Sequence, residues 1–398
     1  MPALHPLSGL ASDAPVDVGL NPAALDHLTA VMARQVEEGR VPGLAMLVAR
    51  HGKIAYSTTL GALAPDGPAM PEDGIFRIYS MTKPIVSVAL MMLVEDGRLF
   101  LSDLLSRFIP EFGHTNVGVV TGDTLELVAQ KRPITIQDLL RHTSGLTYGF
   151  TGNSPVQRLY VEKLFQRRGI TSAQFCADLA ALPLMWQPGE QFEYSHATDV
   201  LGRVVEIVSG QSLGDFLQER ILGPLGMVDT SFHVPPDKLH RLAEAFSKDP
   251  VTDKDVRLID VRSAPTFQSG GGGLVSTIAD YTRFVQMLAC GGCLNGVRIL
   301  SPRLIQFMAS DHLDADVRID RTLLPPGNRF GLGFAVRIQT GIAPSPGSKG
   351  EYFWGGLAGT AFWISPRDNL FAIMMVQAPE QRDHFRLLFR TLVYAALD

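Results

Sequence analysis

Strand patterns near both ends of this 398-residue chain constrain its fold more than any other feature. Residues 44–49 are an apolar run, His51-Gly52-Lys53 is a turn, and residues 54–60 are rich in β-branched and aromatic side chains, which predicts a hairpin. Four more strands are predicted in the last third of the chain, at residues 330–338, 351–354, 358–364 and 370–377. A Pro- and Asn-containing turn separates the last two, so we expect them to pair antiparallel.

Helical patterns flank these strands and dominate the middle of the chain. Asn21 is predicted to cap a helix that has Pro22 at its first position, and residues 383–397 return to helical spacing. Between these ends, helices are predicted at residues 84–96, 135–141, 156–168, 173–181, 199–208 and 213–222. The sequence therefore predicts an α/β (α+β) fold, with an antiparallel sheet domain flanked by helices (1–75 and 275–398) and a mainly helical domain (76–274). A cleft between two such parts is a common place for a substrate.

The segment Tyr79-Ser80-Met81-Thr82-Lys83-Pro84 contains a Ser-x-x-Lys pattern directly before an apolar helix. Positions three apart share one helix face, so the Lys83 amine would lie beside the Ser80 hydroxyl. The helix dipole and partial burial would both disfavour the ammonium form, as a general base requires. Backbone N–H groups at the same helix start could help to stabilise an oxyanion. Ser80 is therefore a candidate nucleophile.

A second serine competes for that role, because Gly210-Gln211-Ser212-Leu213-Gly214 matches the G-x-S-x-G elbow of α/β-hydrolases. Asp368 and His384 follow Ser212 in the order that such a triad requires. Against this alternative, the apolar residues between 200 and 208 keep helical spacing, which favours a turn between two helices over a strand and elbow. We prefer Ser80 and keep Ser212 as the alternative.

The chain resembles the family VIII carboxylesterases, which share the fold of serine β-lactamases and penicillin-binding proteins. In that family a tyrosine from a Tyr-x-Asn-like motif joins the Ser-x-x-Lys pair, and Tyr194-Ser195-His196 matches it here, with His196 where Asn is usual. The resemblance implies a β-lactamase-like fold and identifies Ser80, Lys83 and Tyr194 as the groups that carry out catalysis. The substitution of Asn by His196 changes a position expected to contact the substrate.

The resemblance also extends to Trp354-Gly355-Gly356-Leu357. β-Lactamases usually carry Lys-Thr-Gly on the corresponding strand, whereas family VIII esterases often carry Trp-Gly-Gly. The resemblance implies that the backbone N–H groups of Ser80 and Leu357 form the oxyanion hole. It also implies that Trp354, Gly355, Gly356 and His196 contact the substrate. Read without the family, Trp354 could equally be a packed apolar strand residue.

Three other segments look like family landmarks, at residues 139–146, 224–227 and 269–273, and we interpret all three as mainly structural. His142 is more plausible as a residue at a helix end than as a base. The glycine run at 270–273 lacks the Gly-Lys-Ser/Thr of a phosphate loop, so it indicates a close backbone approach. Thr277 and Asp280 have the spacing of a capping box.

Composition excludes several other functions. The 35 basic residues nearly balance the 40 acidic ones, and the sequence has no block of like charges that could bind along a phosphate backbone. Nucleic acid is therefore not expected as a partner. No apolar run is long enough to span a membrane, and the first residues do not form a signal peptide, so we expect a cytoplasmic protein. No cofactor or metal is implied. The three cysteines indicate a reducing compartment, and we interpret Cys290 and Cys293 as a helix end and turn.

These observations predict a serine carboxylesterase that hydrolyses short-chain esters through an acyl-enzyme on Ser80, with a small-molecule ester as its only expected partner. Alternatives on the same fold are a β-lactamase, a D-aminopeptidase, an acyltransferase or a non-catalytic binding module. The oligomeric state and the natural substrate are not predicted.

Overall fold

The computed structural model describes residues 7–122, 124–164, 169–319, 321 and 323–398. Within this part of the chain the strands, in chain order, are β1 (Gly43–Arg50), β2 (Lys53–Gly61), β3 (Phe76–Arg77), β4 (Val117–Thr121), β5 (Thr124–Val128), β6 (Gln191–Phe192), β7 (Val275–Ser276), β8 (Cys293–Leu294), β9 (Val297–Arg298), β10 (Arg318–Ile319), β11 (Asn328–Phe330), β12 (Ala335–Arg337), β13 (Tyr352–Gly355), β14 (Gly359–Ser365) and β15 (Leu370–Gln377). The helices are α1 (Pro22–Glu37), α2 (Thr82–Glu95), α3 (Ile136–Leu140), α4 (Pro155–Leu164), α5 (Ser172–Ala180), α6 (Ala197–Ser209), α7 (Leu213–Leu217), α8 (Gly223–Leu225), α9 (Ile278–Ala289), α10 (Pro302–Met308) and α11 (Arg382–Ala395).

Seven of the strands form one sheet in the order β11-β12-β13-β14-β15-β1-β2. Every neighbouring pair in it is antiparallel, and β1 pairs with β15, so the two chain ends meet in the middle of the sheet. The predicted hairpin (β1 and β2) and the predicted antiparallel pair (β14 and β15) are both confirmed. The fold is β-lactamase-like, as the resemblance implied.

Both faces of the central strands are buried, which explains their nearly continuous apolar sequences. Side chains alternate along a strand. On one face Met46 and Met374 pack with α1 and α11 through residues such as Leu28 and Phe389. On the other face Leu47 and Ile373 join a larger core that includes α2, α6 and α9. As predicted, Asn21 caps α1, where its side chain accepts the Ala24 N–H.

The core of the helical part continues into the core of the sheet. Helix α2 is buried along most of its length and packs against α6 and α7. Strand β3 lies just before α2 and pairs with β7, so the chain segments near residues 76 and 275 are hydrogen-bonded to each other. The start of α2 therefore lies where sheet and helices meet. The division at residues 75 and 275 stays a prediction.

Three predicted elements differ in the structure. Residues 330–338 form two strands, β11 and β12, because the chain reverses around Gly333, whose φ of +90° suits glycine. The helix predicted at 213–222 ends as an α-helix at Leu217 and continues as a π-helical turn, Gln218–Leu222. Helix α4 covers the start of the segment predicted at 156–168, and residues 165–168 lie outside the described part of the chain. No helix among the described residues is long and apolar enough to cross a membrane.

Candidate active site

Ser80 lies in a short 3-10 turn, Tyr79–Met81, directly between β3 and α2. Tyr79 has a φ of +43°, a left-handed conformation that is uncommon and strained for a bulky residue. Its side chain is held by a hydrogen bond from the Ile259 N–H to the Tyr79 hydroxyl at 2.9 Å. This strained turn leaves Ser80 partly exposed while both of its neighbours are buried.

Lys83 is only 1% exposed, and its amine makes three polar contacts. Its Nζ lies 3.3 Å from Ser80 Oγ, 3.1 Å from the Tyr148 hydroxyl and 2.6 Å from the Gly271 carbonyl oxygen. The carbonyl can only accept a hydrogen bond, so Lys83 donates to it. An unprotonated amine has two N–H bonds and one lone pair. It can therefore donate to Gly271 and Tyr148 while its lone pair faces the Ser80 hydroxyl, as a general base requires.

Tyr148 is the site residue that the sequence analysis missed. It follows the segment 139–146, which we interpreted as structural, by only two positions. Burial, followed by the charge of Asp199, raises the pKa of Tyr148 well above its ordinary value, so the phenol stays protonated. Phe150 stacks on its ring at 4.7 Å and is largely exposed. The sequence signal that could have indicated Tyr148 was a pair of aromatic residues, Tyr148 and Phe150, shortly after a family landmark.

Tyr194 lies between β6 and α6 and presents its ring face to Lys83, with 4.5 Å from Nζ to the ring centroid. The Trp354 indole Nε1–H donates to the Tyr194 hydroxyl at 3.1 Å, and both side chains are buried. Trp354 is therefore more than a packed apolar residue, because it orients the tyrosine. The structure brings Ser80, Lys83, Tyr194 and Trp354 together.

His196 lies at the start of α6, with its ring 4.2 Å from the ring of Tyr148. Its Nδ1 lies 2.9 Å from the Asp199 carboxylate. Burial alone would raise the pKa of Asp199, but its hydrogen bonds with His196 and Ser269 hold that pKa below its ordinary value. Asp199 is therefore an ionised carboxylate buried beside the site.

The glycine run 270–273 brings its backbone against this carboxylate. The Gly271 N–H donates to Asp199 Oδ1 at 2.8 Å, while the Gly271 carbonyl accepts from Lys83. A Cβ on Gly271 would lie 2.7 Å from Asp199 Oδ2, closer than side chains tolerate. The predicted close backbone approach is confirmed, and it positions the acceptor of the Lys83 amine.

The segment Trp354-Gly355-Gly356-Leu357 ends β13 and passes against Ile78, two residues before Ser80. A Cβ on Gly356 would collide with the Ile78 carbonyl oxygen and the Thr360 hydroxyl. Among the described residues, neither the Ser80 N–H nor the Leu357 N–H finds an acceptor. Leu357 itself is 44% exposed. Two unoccupied amide donors thus lie at the two segments that the oxyanion-hole prediction names.

The Ser212 alternative is wrong. Ser212 caps α7, where its Oγ accepts the Asp215 N–H, and α6 occupies the segment that an elbow strand would need. His384 contacts Gln35, and Asp368 contacts Ser348 and Ser365 in the turn between β14 and β15. Each member of the hypothetical triad therefore has other partners.

The structure also places two other sequence landmarks, His142 and the predicted capping box at Thr277. His142 is buried behind Tyr194, with Nδ1 3.2 Å from Ser195 Oγ. Burial lowers the pKa of His142 well below its ordinary value, so the ring is neutral. Thr277 caps α9, but the predicted capping box is not complete. The Asp280 carboxylate instead accepts hydrogen bonds from the Asp229 backbone N–H and the Thr230 hydroxyl.

The predicted structural interpretation of Cys290 is also confirmed, because it caps the end of α9 and is followed by two left-handed glycines.

Comparisons with known proteins agree with this geometry. The beta-lactamase family model matches residues 28–395. Esterase EstB of Burkholderia gladioli is 30% identical, with 92% of this chain and 93% of EstB covered. An uncharacterised protein of Mycobacterium tuberculosis is 36% identical, with 89% and 90% covered. The solved structure of EstCE1, a hydrolase with promiscuous acyltransferase activity, has a TM-score of 0.79 at 27% identity, with 94% of this chain and 98% of EstCE1 covered.

Proposed function

This chain belongs to the beta-lactamase family and is a serine hydrolase of the family VIII esterase kind, and from this premise we propose that it is a carboxylesterase acting on short-chain esters through an acyl-enzyme on Ser80. The observation that carries the proposal is the contact of Ser80 Oγ with a buried amine, Lys83 Nζ, at 3.3 Å. A basic side chain in contact with the hydroxyl is the arrangement that activates a serine nucleophile.

In the acylation step, Ser80 Oγ attacks the ester carbonyl carbon and its proton passes to the Lys83–Tyr194 pair. The carbonyl oxygen becomes an oxyanion that the N–H groups of Ser80 and Leu357 stabilise. The C–O bond to the alcohol then breaks, and the alcohol leaves with the proton. Lys83 Nζ lies 4.5 Å from the centre of the Tyr194 ring, so the two groups act together as one proton path.

In the deacylation step, a water molecule replaces the alcohol. The same pair takes a proton from the water as its oxygen attacks the acyl carbon, and the bond to Ser80 Oγ breaks. The carboxylic acid is released and Ser80 recovers its proton. An alcohol in place of water would give acyl transfer, the second activity stated for EstCE1.

A neutral substrate suits the surroundings of the site. Trp354 occupies the position where β-lactamases usually carry Lys, and its indole N–H already donates a hydrogen bond to the Tyr194 hydroxyl. Phe150 and Leu357 are exposed apolar side chains near Tyr148 and the proposed oxyanion hole. A short apolar acyl group gains contact there, whereas a carboxylate would have to lose water beside an indole ring where β-lactamases offer a lysine.

Replacing each candidate serine tests the proposal. Ser80→Ala should abolish hydrolysis of p-nitrophenyl butyrate, and a fluorophosphonate should label the wild-type protein at Ser80, as read by peptide mass spectrometry. Ser212→Ala is the matched control and should keep most of the activity, because that hydroxyl only caps α7. Full activity in Ser80→Ala would refute the proposal.

A further inference from the structure

Arg386, on helix α11, contacts the same turn that carries Leu357. Its Nη2 donates to the carbonyl oxygens of Gly356 and Thr360, the second at 3.1 Å. The guanidinium also lies over Gly355, where a Cβ would be 2.6 Å from Nη2. The absence of a side chain at Gly355 therefore gives this arginine its place beside the end of β13.

The charge of Arg386 is poorly compensated. Its Nε is buried and has no acceptor among the described residues. The carboxylate that faces Nη1, Asp383, is 3.8 Å away and largely exposed, so solvent screens it. Burial lowers the pKa of Arg386 to about 10, which still leaves a cation at neutral pH.

Helix packing does not require this cation. Helix α11 is held to the sheet by Phe385, Phe389 and Val393, all fully buried. Desolvating an unpaired charge is unfavourable, so a purely structural role would be served better by an apolar side chain. The turn at residues 356–360 is also stabilised without Arg386 by its own backbone hydrogen bonds. The Gly356 N–H donates to the Thr360 carbonyl, and the Gly359 N–H donates to the Gly356 carbonyl. What Arg386 adds is positive charge on the Thr360 carbonyl and on the peptide group that carries the Gly356 carbonyl.

That peptide group is the one whose N–H belongs to Leu357, because the Gly356 carbonyl and the Leu357 amide share a single planar unit. Electrons are delocalised over the unit, so a cation on its oxygen withdraws density from its nitrogen and strengthens the N–H as a donor. We propose that Arg386 is a positioning residue that orients and polarises the Gly356–Leu357 peptide for oxyanion stabilisation. This inference rests on the proposed esterase function and deepens it.

The test compares Arg386→Gln, Arg386→Lys and Arg382→Gln. Arg382 lies one helical turn earlier and donates to Pro379, so its replacement removes the same charge without touching the oxyanion turn. Two quantities are measured beside kcat and KM: the melting temperature, and the affinity for a short alkyl boronic acid whose adduct with Ser80 carries a tetrahedral anion.

Arg386→Gln should lower kcat about tenfold, less than the roughly 10²–10³-fold loss on deleting an oxyanion donor. KM should change less than about twofold, because the effect is confined to the developing oxyanion. Boronic acid affinity should fall in parallel with kcat. Arg386→Lys should recover part of both losses because it keeps a cation, and Arg382→Gln should resemble wild type.

Wild-type kcat in a folded Arg386→Gln protein would overturn the inference, as would a lower kcat with unchanged boronic acid affinity. If Arg386→Gln does not fold, Arg386→Lys decides: an equal shift in kcat and boronic acid affinity supports polarisation, and a shift in melting temperature alone refutes it. Failure of the proposed function is separate, since it would appear as esterase activity that survives Ser80→Ala.

Discussion

Gly271→Ala should damage catalysis strongly although it adds only one methyl group. The new Cβ would lie 2.7 and 2.9 Å from the two carboxylate oxygens of Asp199, so backbone or carboxylate must move by several tenths of an ångström. Both alternatives disturb the site, because the Gly271 carbonyl accepts from Lys83 Nζ at 2.6 Å and Asp199 holds the Gly271 N–H. Relief of the clash therefore moves the amine that contacts Ser80 Oγ.

The size of the effect follows from how steeply catalysis depends on geometry. A 1 Å misplacement of reacting groups can cost about 10²-fold in rate, so a shift of about half that should lower kcat roughly tenfold. Overpacking should also cost about 1–3 kcal/mol of stability. The assay is steady-state hydrolysis of p-nitrophenyl acetate, with thermal unfolding on the same preparations.

Gly272→Ala is the matched control, because a Cβ there would meet the Tyr79 backbone only at 3.6 Å or more, an ordinary contact. We expect its kcat to stay within about threefold of wild type, because an ordinary contact adds no overpacking. If Gly271→Ala kept wild-type kcat, or if both variants lost activity equally, the link from Asp199 through Gly271 to Lys83 would be refuted.

Three further predictions concern the proton path, substrate choice and pH. Lys83→Ala and Tyr194→Phe should each lower kcat by roughly 10²-fold or more, and the double variant should lose little more than either, because both groups serve one path; independent, multiplying effects in steady-state kinetics would contradict this. The kcat/KM for p-nitrophenyl acetate should exceed that for a chromogenic cephalosporin by at least about 10²-fold. One missing charged contact is worth ~1.5–3 kcal/mol, which corresponds to a ~10- to 150-fold difference. Equal efficiency on the two substrates would restore the β-lactamase alternative. The pKa of Asp199 in the folded protein lies below the ordinary 3.8, so Asp199 should stabilise the fold above pH 3.8 and lose that contribution as the pH falls through its folded pKa. The difference in unfolding free energy between wild type and Asp199→Asn should therefore shrink in acid. A difference that stays constant with pH would exclude this role.

Features encoded within one helix turn or one strand could be predicted from the sequence. The cap at Asn21, the strand Leu370–Gln377 with both of its ends, and the placement of Lys83 beside Ser80 all follow from patterns a few residues long. Local backbone geometry determines such features, because periodicity brings positions three or two apart onto one face whatever the rest of the chain does. The reversal around Gly333 was missed because an apolar run through glycine also fits one strand.

Contacts between distant segments were decided only by the tertiary structure. Tyr148 is 65 residues from Lys83, and Gly271 is 188 residues from it, yet both hold the same amine. Trp354 reaches Tyr194 across 160 residues, and Arg386 reaches Gly356 from another helix. Such pairings leave no periodic trace in the sequence, because they depend on how the sheet and the helices pack around one shared core. The contact of Lys83 with Ser80 could therefore be predicted from a four-residue pattern, whereas the other groups around that amine became visible only once the chain was folded.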